Sequence, residues 1–559
     1  MSAASLLRGG DAKLFLRQTN SDLLLDEIDS YSATDLQTIG KLTYIAGLHG
    51  RNVVLMSATM SPAVQNGLFE SWRAGVAIRA ELKSIPLAYG TVYSANTRPC
   101  VVLNTPTLPE ACGAWLQFVR GVAECYARSA LLGGRRCMGL HTLSAKSAIG
   151  AFAEITDIAQ QMHDIHHTVD PQTGRRVSVG FVRLNTAKNA WRFASYLASR
   201  PATSLGPDIR FVAYHSKFPR NYLGVLDATL GQMTARKTEH AFLETPALRH
   251  ALGTAKSENL VVIVCTTTLI ETGRDFDFDW AVLEPRSVRG EVQAAGRVRR
   301  HRQAPLATSS PNIILLSTPL KALEEPDRPV WGHPGVEDAL PGLRVNAALP
   351  APFKALSTLP AVQASGARAA SSTVPAPRSR PGLAKPQYMA LAADALPLAA
   401  WNTALDAQLC IETAPVYENN RIGYLEQAVQ ALNLSHPGPW SAQTGLPPSL
   451  CHYLTSFAPL NSRHAIETRF RGGMSQTAVF VPRPSCVEAY DEVTKGYVRC
   501  LAAEIATSPS KNALLPDLAQ QADKLAVDDR HIIGAALRCP EGGASFKPLT
   551  WSPLLGFLE

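Results

Sequence analysis

Two short strings in this 559-residue sequence carry side chains of the type and spacing that could do phosphate chemistry. Leu24-Leu25-Asp26-Glu27-Ile28-Asp29 sets adjacent carboxylates at the end of an apolar run. One carboxylate there can hold a magnesium ion, and its neighbour can orient or deprotonate an attacking water, because a chain leaving a sheet lets both side chains reach a cleft. Gln293-Ala294-Ala295-Gly296-Arg297-Val298-Arg299-Arg300 supplies the opposite charge. Arg297 and Arg300 are spaced i, i+3, so on a helix they share a face and aim two guanidinium forks at one point. Such a pair suits a γ-phosphate whose charge grows as it is transferred, and Gly296 permits close approach. Each string has a bland alternative: acidic residues favour the first turn of a helix, and Arg297 to Arg302 could be a solvated basic face.

The elements around the strings argue for the chemical reading. Leu23-Leu24-Leu25 reads as a short buried strand, 33–48 as a helix with Leu36, Ile39, Leu42, Ile45 and Ala46 on one face, and Asn52-Val53-Val54-Leu55-Met56 as a second strand. This parallel βαβ unit brings Ser57-Ala58-Thr59 to the same carboxyl edge as Asp26-Glu27, where open α/β sheets build ligand sites. The hydroxyls of Ser57 and Thr59 could bond the acidic pair and relay its state. From 60 to 165 the pattern is mostly helix and loop, with a long helix over 144–163. Strands follow at 178–184, 209–214, 260–265, 280–283 and 312–316, separated by helices at 188–199, 220–233 and 289–298. That alternation predicts a doubly wound parallel sheet. Its third strand runs into Thr266-Thr267-Thr268 and then Glu271-Thr272-Gly273-Arg274-Asp275-Phe276-Asp277.

Bulk properties bound the reading. With 46% hydrophobic and 18% charged residues, the chain has a soluble composition and enough length for several cores. The net charge of +8 leans towards a polyanion without indicating nucleic acid by itself. None of the ten cysteines forms Cys-x-x-Cys, so reduced thiols in a cytoplasm are expected. Met1 to Gly10 lacks a secretory pattern, and no apolar run approaches the roughly 20 residues that span a bilayer. No membrane association is expected.

Four segments emerge: 1–140 and 141–320, both α/β, then a Pro/Ala-rich linker over 321–400, then a mainly helical domain over 401–559. The linker has no acidic residue between Asp338 and Asp394 but carries Arg344, Lys354, Arg368, Arg378, Arg380 and Lys385. It reads as a mobile spacer, with contact to a DNA backbone as the functional alternative. One decoy is Gln161-Met162-His163-Asp164-Ile165-His166-His167, which resembles a metal site. It runs straight into the turn Asp170-Pro171-Gln172-Thr173-Gly174 and reads as a surface helix end.

In order and spacing the motifs resemble a superfamily 2 helicase from motif II onwards. Asp26 to Asp29 matches motif II, Ser57-Ala58-Thr59 motif III, Thr267 to Asp277 motif V and Gln293 to Arg300 motif VI. More narrowly, the chain resembles the helicase–nuclease (Cas-three) family of type I-F CRISPR systems. That match is carried by Val182-Arg183, Tyr214-His215-Ser216, Gly273 to Asp279, Gln293 to Arg302, Arg469-Phe470-Arg471 and Trp551 to Phe557. It is strong over 20–320, weaker over 440–559 and thin in the linker.

The resemblance implies RecA-like sheets, the first partial and the second complete, and 3′-to-5′ ATP-driven movement on single-stranded DNA coupled to metal-dependent DNA cutting in antiviral defence. It implies ATP and Mg2+ as cofactors. Asp26, Glu27, Arg297 and Arg300 would be catalytic, with Asp26 on the metal. Ser57, Thr59, Gly273, Asp275, Gln293 and Gly296 would face the nucleotide, and Thr267, Thr268, Arg183 and His215 the nucleic acid. The implied partners are single-stranded DNA, the type I-F RNA-guided surveillance complex and a separately encoded N-terminal portion, in a prokaryotic cytoplasm.

Two departures matter. Ala294 stands where many superfamily members carry Arg, and these 559 residues contain neither a Gly-x-x-x-x-Gly-Lys-Ser/Thr phosphate loop nor the family's His-Asp nuclease. A βαβ unit needs about 30 residues, more than the 21 that precede Asp22. The reading is therefore a C-terminal portion of such a motor. The alternatives are a catalytically inactive DNA-binding scaffold, or another superfamily 2 nucleic-acid helicase, for instance an RNA helicase. The RNA helicase is disfavoured because motif VI there commonly begins with His rather than Gln293.

Overall fold

The computed structural model describes residues 20–28 and 33–57, most of 62–121 and most of 136–325. Towards the C-terminus it describes 475–480, 486–491, 496–504, 512–525, 534–538 and 549–558. Most of the linker, residues 401–474, and the motif residues Thr59 and Gly273 lie outside the described residues. The chain divides into two compact units; the described residues of the first fall within 1–129 and those of the second within 130–336 and 470–559.

In the first unit, β1 (Leu23–Leu25) and β2 (Val53–Leu55) are parallel, with Leu24 opposite Val54. They are joined through α1 (Ala33–Leu48), whose Ile39, Leu42, Ile45 and Leu48 are buried. A second helix, α2 (Pro62–Lys83), crosses α1 at close range. Gly47 and Gly75 allow it: a Cβ on either would stand 2.1 Å from a carbonyl oxygen of the other helix, of Trp72 and Tyr44 respectively. Beyond α2 the expected helix and loop give way to an antiparallel pair, β3 (Gly90–Ala95) and β4 (Arg98–Asn104). Thr91, Val92 and Tyr93 in one strand and Val101 and Val102 in the other are β-formers, which explains the outcome.

The second unit is a seven-stranded sheet in the order β5-β11-β10-β7-β9-β8, with the short β6 antiparallel to β7. Its strands are β5 (Met138–His141), β6 (Thr168–Val169), β7 (Arg176–Arg183), β8 (Asp208–Tyr214), β9 (Asn259–Thr266), β10 (Trp280–Leu283) and β11 (Ile313–Leu316). All but β6 run parallel. The connecting helices include α3 (Ala148–His166), α4 (Ala187–Ser199), α5 (Arg220–Met233), α6 (Pro246–Thr254) and α7 (Val288–Ala295). This is the expected doubly wound α/β sheet. Its central strands are buried throughout, as strands covered by helices on both faces must be. Strand order reverses on either side of β7, so the carboxyl ends of β7, β9 and β10 frame the crevice in which such sheets bind ligands.

Gly180 in β7 leaves room for the Trp280 ring, 2.2 Å from where a Cβ would stand. The Trp280 indole donates to Ser178 Oγ at 3.0 Å, and Ser178 meets His163 Nδ1 at 2.8 Å. His163 is thus a buried core residue rather than part of a surface helix end; α3 does stop at His166, whose ring meets the Pro311 carbonyl at 2.8 Å.

Towards the C-terminus the expectation of mainly helix is corrected for the described residues. They form a six-stranded sheet, β15-β12-β13-β14-β16-β17, and one helix, α8 (Leu518–Leu525). The strands are β12 (Ser475–Phe480), β13 (Cys486–Asp491), β14 (Gly496–Glu504), β15 (Gly534–Arg538), β16 (Leu549–Ser552) and β17 (Gly556–Leu558). Runs such as Thr477-Ala478-Val479-Phe480 are too short to separate strand from buried helix by periodicity. Between α8 and these strands, residues 512–514 join the edge of the seven-stranded sheet: Phe211 of β8 exchanges backbone hydrogen bonds with Asn512 and Leu514 at 2.9 and 3.0 Å.

Candidate functional site

In the first unit the acidic pair sits where the sequence placed it. Asp26 is exposed and Glu27 half-buried, directly after β1. Glu27 has φ +49, a left-handed conformation uncommon outside glycine and a form of strain found at working sites. The Glu27 amide donates to Asp26 Oδ1 at 2.9 Å and the Ile28 amide to the Met56 carbonyl at 3.3 Å, so β2 holds the acidic turn. Ser57 follows Met56 at the same edge and is half-buried.

In the second unit the expected residues gather at the carboxyl edge, with a different division of labour. Arg297 and Arg300 do not share a helix face. Helix α7 ends at Ala295, and Val298 forms a parallel bridge with Phe278. Arg299 is left-handed at φ +46, which breaks helical spacing. The buried Arg297 guanidinium instead grips the turn after β9, donating from its two terminal nitrogens to the carbonyls of Arg274 and Glu271. Arg300 is half-exposed and pairs with Asp275 at 2.8 Å, with His301 Nε2 at 3.0 Å from the same carboxylate oxygen. Asp277 and Asp279 continue the alternation: Arg302 meets both at 2.6 Å, and Arg236 meets Asp279 at 2.8 Å. Three aspartates spaced by two thus face Arg300 and Arg302 in the loop after α7, while Phe276 and Phe278 are buried. Burial alone would raise Asp279, but Arg236 and Arg302 outweigh it and hold its carboxyl below the usual range. Gln293, near the end of α7, and Gly296 beyond it are half-buried beside this loop.

Arg183 and His215, expected to touch nucleic acid, are enclosed with no exposed surface. In this structure both are held by neighbouring protein groups. Arg183 ends β7 between Glu291, on α7, and Glu271, whose carboxylate lies at 3.3 Å. Burial would lower its pKa, but those carboxylates carry it upward. Glu284, close by, accepts the amides of Asn185 and Leu320 at 2.7 and 2.8 Å, and burial pushes its pKa to about 7. His215 is pushed down to about 4 by burial; its Nε2 donates to the Leu555 carbonyl at 2.8 Å. Thr267 is buried and Thr268 half-buried at the end of β9, the latter open towards the edge.

Sequence reasoning missed Arg136. It is buried, and its guanidinium donates to the Val298 carbonyl at 2.6 Å and the Gly296 carbonyl at 3.4 Å, bracing the motif VI loop. It lies beside another arginine, Arg135, with no motif to mark it. Tyr214, Asp227 and Arg274 were missed as a set: Arg274 Nε donates to the Tyr214 hydroxyl at 2.7 Å and to Asp227 at 2.9 Å.

Comparison with known proteins meets this geometry. The family model described as "CRISPR-associated nuclease/helicase Cas3, C-terminal" matches residues 176–303, which span β7 through the motif VI loop. A subtype I-F/YPEST Cas3 nuclease/helicase of Pseudomonas aeruginosa (strain UCBPP-PA14) is 32% identical over 352 residues, covering 60% of this chain and 32% of the relative. Its counterpart in Pectobacterium atrosepticum is 29% identical over 364 residues, covering 60% and 31%. The chain therefore spans about a third of the length of these curated relatives. Among solved structures, T. fusca Cas3 with AMPPNP is similar at 14% identity and TM-score 0.45, covering 97% of this chain and 54% of that one. Residues 176–303 are thus similar to the Cas3 C-terminal family model, and 60% of the chain is similar to subtype I-F/YPEST Cas3 nuclease/helicases.

Proposed function

We propose that this chain is part of an ATP-dependent single-stranded DNA translocase of the subtype I-F kind, acting in the cytoplasm of a prokaryote in CRISPR defence. The observation that carries the reading is the convergence of the Thr267–Asp275 turn and the Arg297–Arg300 loop on one carboxyl edge, at the reversal of strand order. In such motors the loop arginines stabilise charge growing on a transferred phosphoryl group. Asp275 holds Arg300 in reserve here; a nucleotide phosphate is the stronger competitor for that guanidinium. Gln293 and Gly296 stand beside the same loop.

Asp26 and Glu27 supply the other half of the chemistry. Asp26 is an exposed hard-oxygen donor at a strand end, the ligand type that Mg2+ takes, so the residues present fit the ion. Mg2+ would supply charge neutralisation on the phosphates. Glu27, turned away from the strand by its left-handed backbone, is suited to orient water, with Ser57 and Thr59 reporting the state of the pair. Thr267 and Thr268 are the candidates for a DNA phosphate contact; Thr268 is half-buried, whereas Thr267, like Arg183 and His215, is buried.

The first unit also has a seat for more sheet. A cavity of about 620 Å³ lies between the Asn52–Met56 stretch of β2 and the Gly90–Ser94 stretch of β3, walled by Phe69, Trp72 and Trp115. Gln65 Oε1 and Thr91 Oγ1 are buried without hydrogen-bond partners, and both residues line it. An upstream portion bearing a phosphate loop, fused or separately encoded, would place a strand there. The surveillance complex of that CRISPR subtype is the partner that would deliver DNA.

The test is to supply the upstream portion and measure DNA-stimulated ATP hydrolysis. Asp26→Ala and Arg297→Ala should each lower turnover on the order of 10²–10³-fold, because each removes charge stabilisation expressed mainly in the transition state. A Glu27→Gln motor running at full rate would overturn the motif II assignment.

A further inference from the structure

The C-terminal segment does more than close a sheet edge. Its turn Ser552–Gly556 reaches the carboxyl end of β8, where Leu555, itself buried, presents its carbonyl to His215. Gly556 has φ +80, and a Cβ there would stand 2.8 Å from His215 Cε1 and 3.1 Å from both the Lys217 carbonyl and the Phe218 ring. Only glycine meets both conditions. The Lys217 amide donates to His215 Nδ1 at 3.3 Å, which fixes the neutral tautomer that donates through Nε2. A second anchor lies upstream, where Asn512 Nδ2 caps the end of α4 by donating to the Leu197 and Arg200 carbonyls at 3.1 and 2.9 Å.

One residue before His215, Tyr214 donates its hydroxyl to Asp227 and accepts from Arg274. Arg274 is also the residue whose carbonyl Arg297 grips. A continuous set of contacts therefore runs from the C-terminal turn through His215, Tyr214 and Arg274 to Arg297. We propose that the C-terminal turn Ser552–Gly556 is a coupling element of this lobe: seated against His215, it holds Tyr214 against Arg274 and so sets the position of Arg297. His215, Tyr214 and Arg274 are positioning residues in this scheme. Whatever displaces the C-terminal sheet would loosen Arg297 in its seat against the Arg274 and Glu271 carbonyls. The part of the proposal that concerns catalysis rests on the reading given under Proposed function.

Two variants test it from opposite ends of the path in the full chain: Gly556→Ala, which pries the turn from His215, and Tyr214→Phe, which deletes one hydroxyl and keeps the ring. Amide hydrogen exchange over 268–276 should quicken by about tenfold in each, the factor for losing one ordinary hydrogen bond. Exchange over 313–316, on the far side of the sheet, should stay unchanged. Unchanged exchange over 268–276 in both variants, or equal loosening of 313–316, overturns the coupling. With the upstream portion supplied, Gly556→Ala should lower kcat for ATP and leave KM as it was; a rise in KM alone overturns the link to Arg297. If the wild-type assembly has no ATPase, the functional reading falls while the exchange measurement still decides the coupling.

Discussion

The two parallel sheets of this chain obey the same rules and end in different conditions. In the second unit β7 and β9 have strands on both sides and helices on both faces, and Val262, Ile263 and Val264 are wholly buried. In the first unit β1 and β2 pair only with each other among the described residues, and their facing residues Leu24 and Val54 are 62% and 41% exposed. Parallel strands are normally covered on both faces. The contrast teaches that the second sheet is a closed core, whereas the strands of the first have no further neighbours among the described residues.

Limited proteolysis should show the largest effect. Within the first ~110 residues cleavage should come early, leaving a resistant core around 175–320. The structure enlarges that expectation, because β5 and the 512–514 segment close opposite edges of the sheet. A first unit as resistant as the second would break the comparison.

Point substitutions sharpen it. Gly180→Ala would push a methyl group into the Trp280 ring, and overpacking of this kind costs about 1–3 kcal/mol. Val54→Ala, on an uncovered face, should change stability by less than about 0.5 kcal/mol. Denaturant unfolding of both variants measures the difference, and equal losses would mean that β2 is already in a closed core.

The smallest effect concerns pH. Glu284 titrates near 7 when folded, above its ordinary value of 4.5, so the folded state holds the proton more tightly. Its contribution to stability is present below about 4.5 and is lost as pH rises through about 7. The buried histidines act with the opposite sign: His163, His166 and His215 have lowered pKa values, and stability from them is lost as pH falls. Glu284→Gln isolates the carboxylate. The stability difference between variant and wild type should move in the variant's favour between pH 5 and pH 8, and a constant difference would contradict the shift.

Much of the second unit was legible because its strands are unbroken apolar runs bounded by helices of clear period; Asn259–Thr266 and Arg176–Arg183 lie within a residue or two of expectation. The Met138–His141 strand was not, since its four residues gain their register only from β11 far along the chain. The place of Asp26 and Glu27 directly after β1 was legible from the apolar run before them. The burial of Arg183 and His215 was not, because a motif records which side chain is needed and not whether it faces solvent or a buried carboxylate. The helix face expected for Arg297 and Arg300 failed at Arg299, whose left-handed backbone follows from the bridge between Phe278 and Val298. No local propensity announces that bridge.

The proposal that Asp26, Glu27, Arg297 and Arg300 serve an ATPase whose phosphate contacts come from another portion can be tested directly. Backbone amides and a lysine of a phosphate loop provide most β- and γ-phosphate binding, and motifs II and VI cannot replace them. The direct measurement is DNA-stimulated ATP hydrolysis by the purified 559 residues, alone and with the upstream portion added. Negligible turnover alone and robust turnover in combination is the predicted result; robust turnover by the 559 residues alone would contradict it.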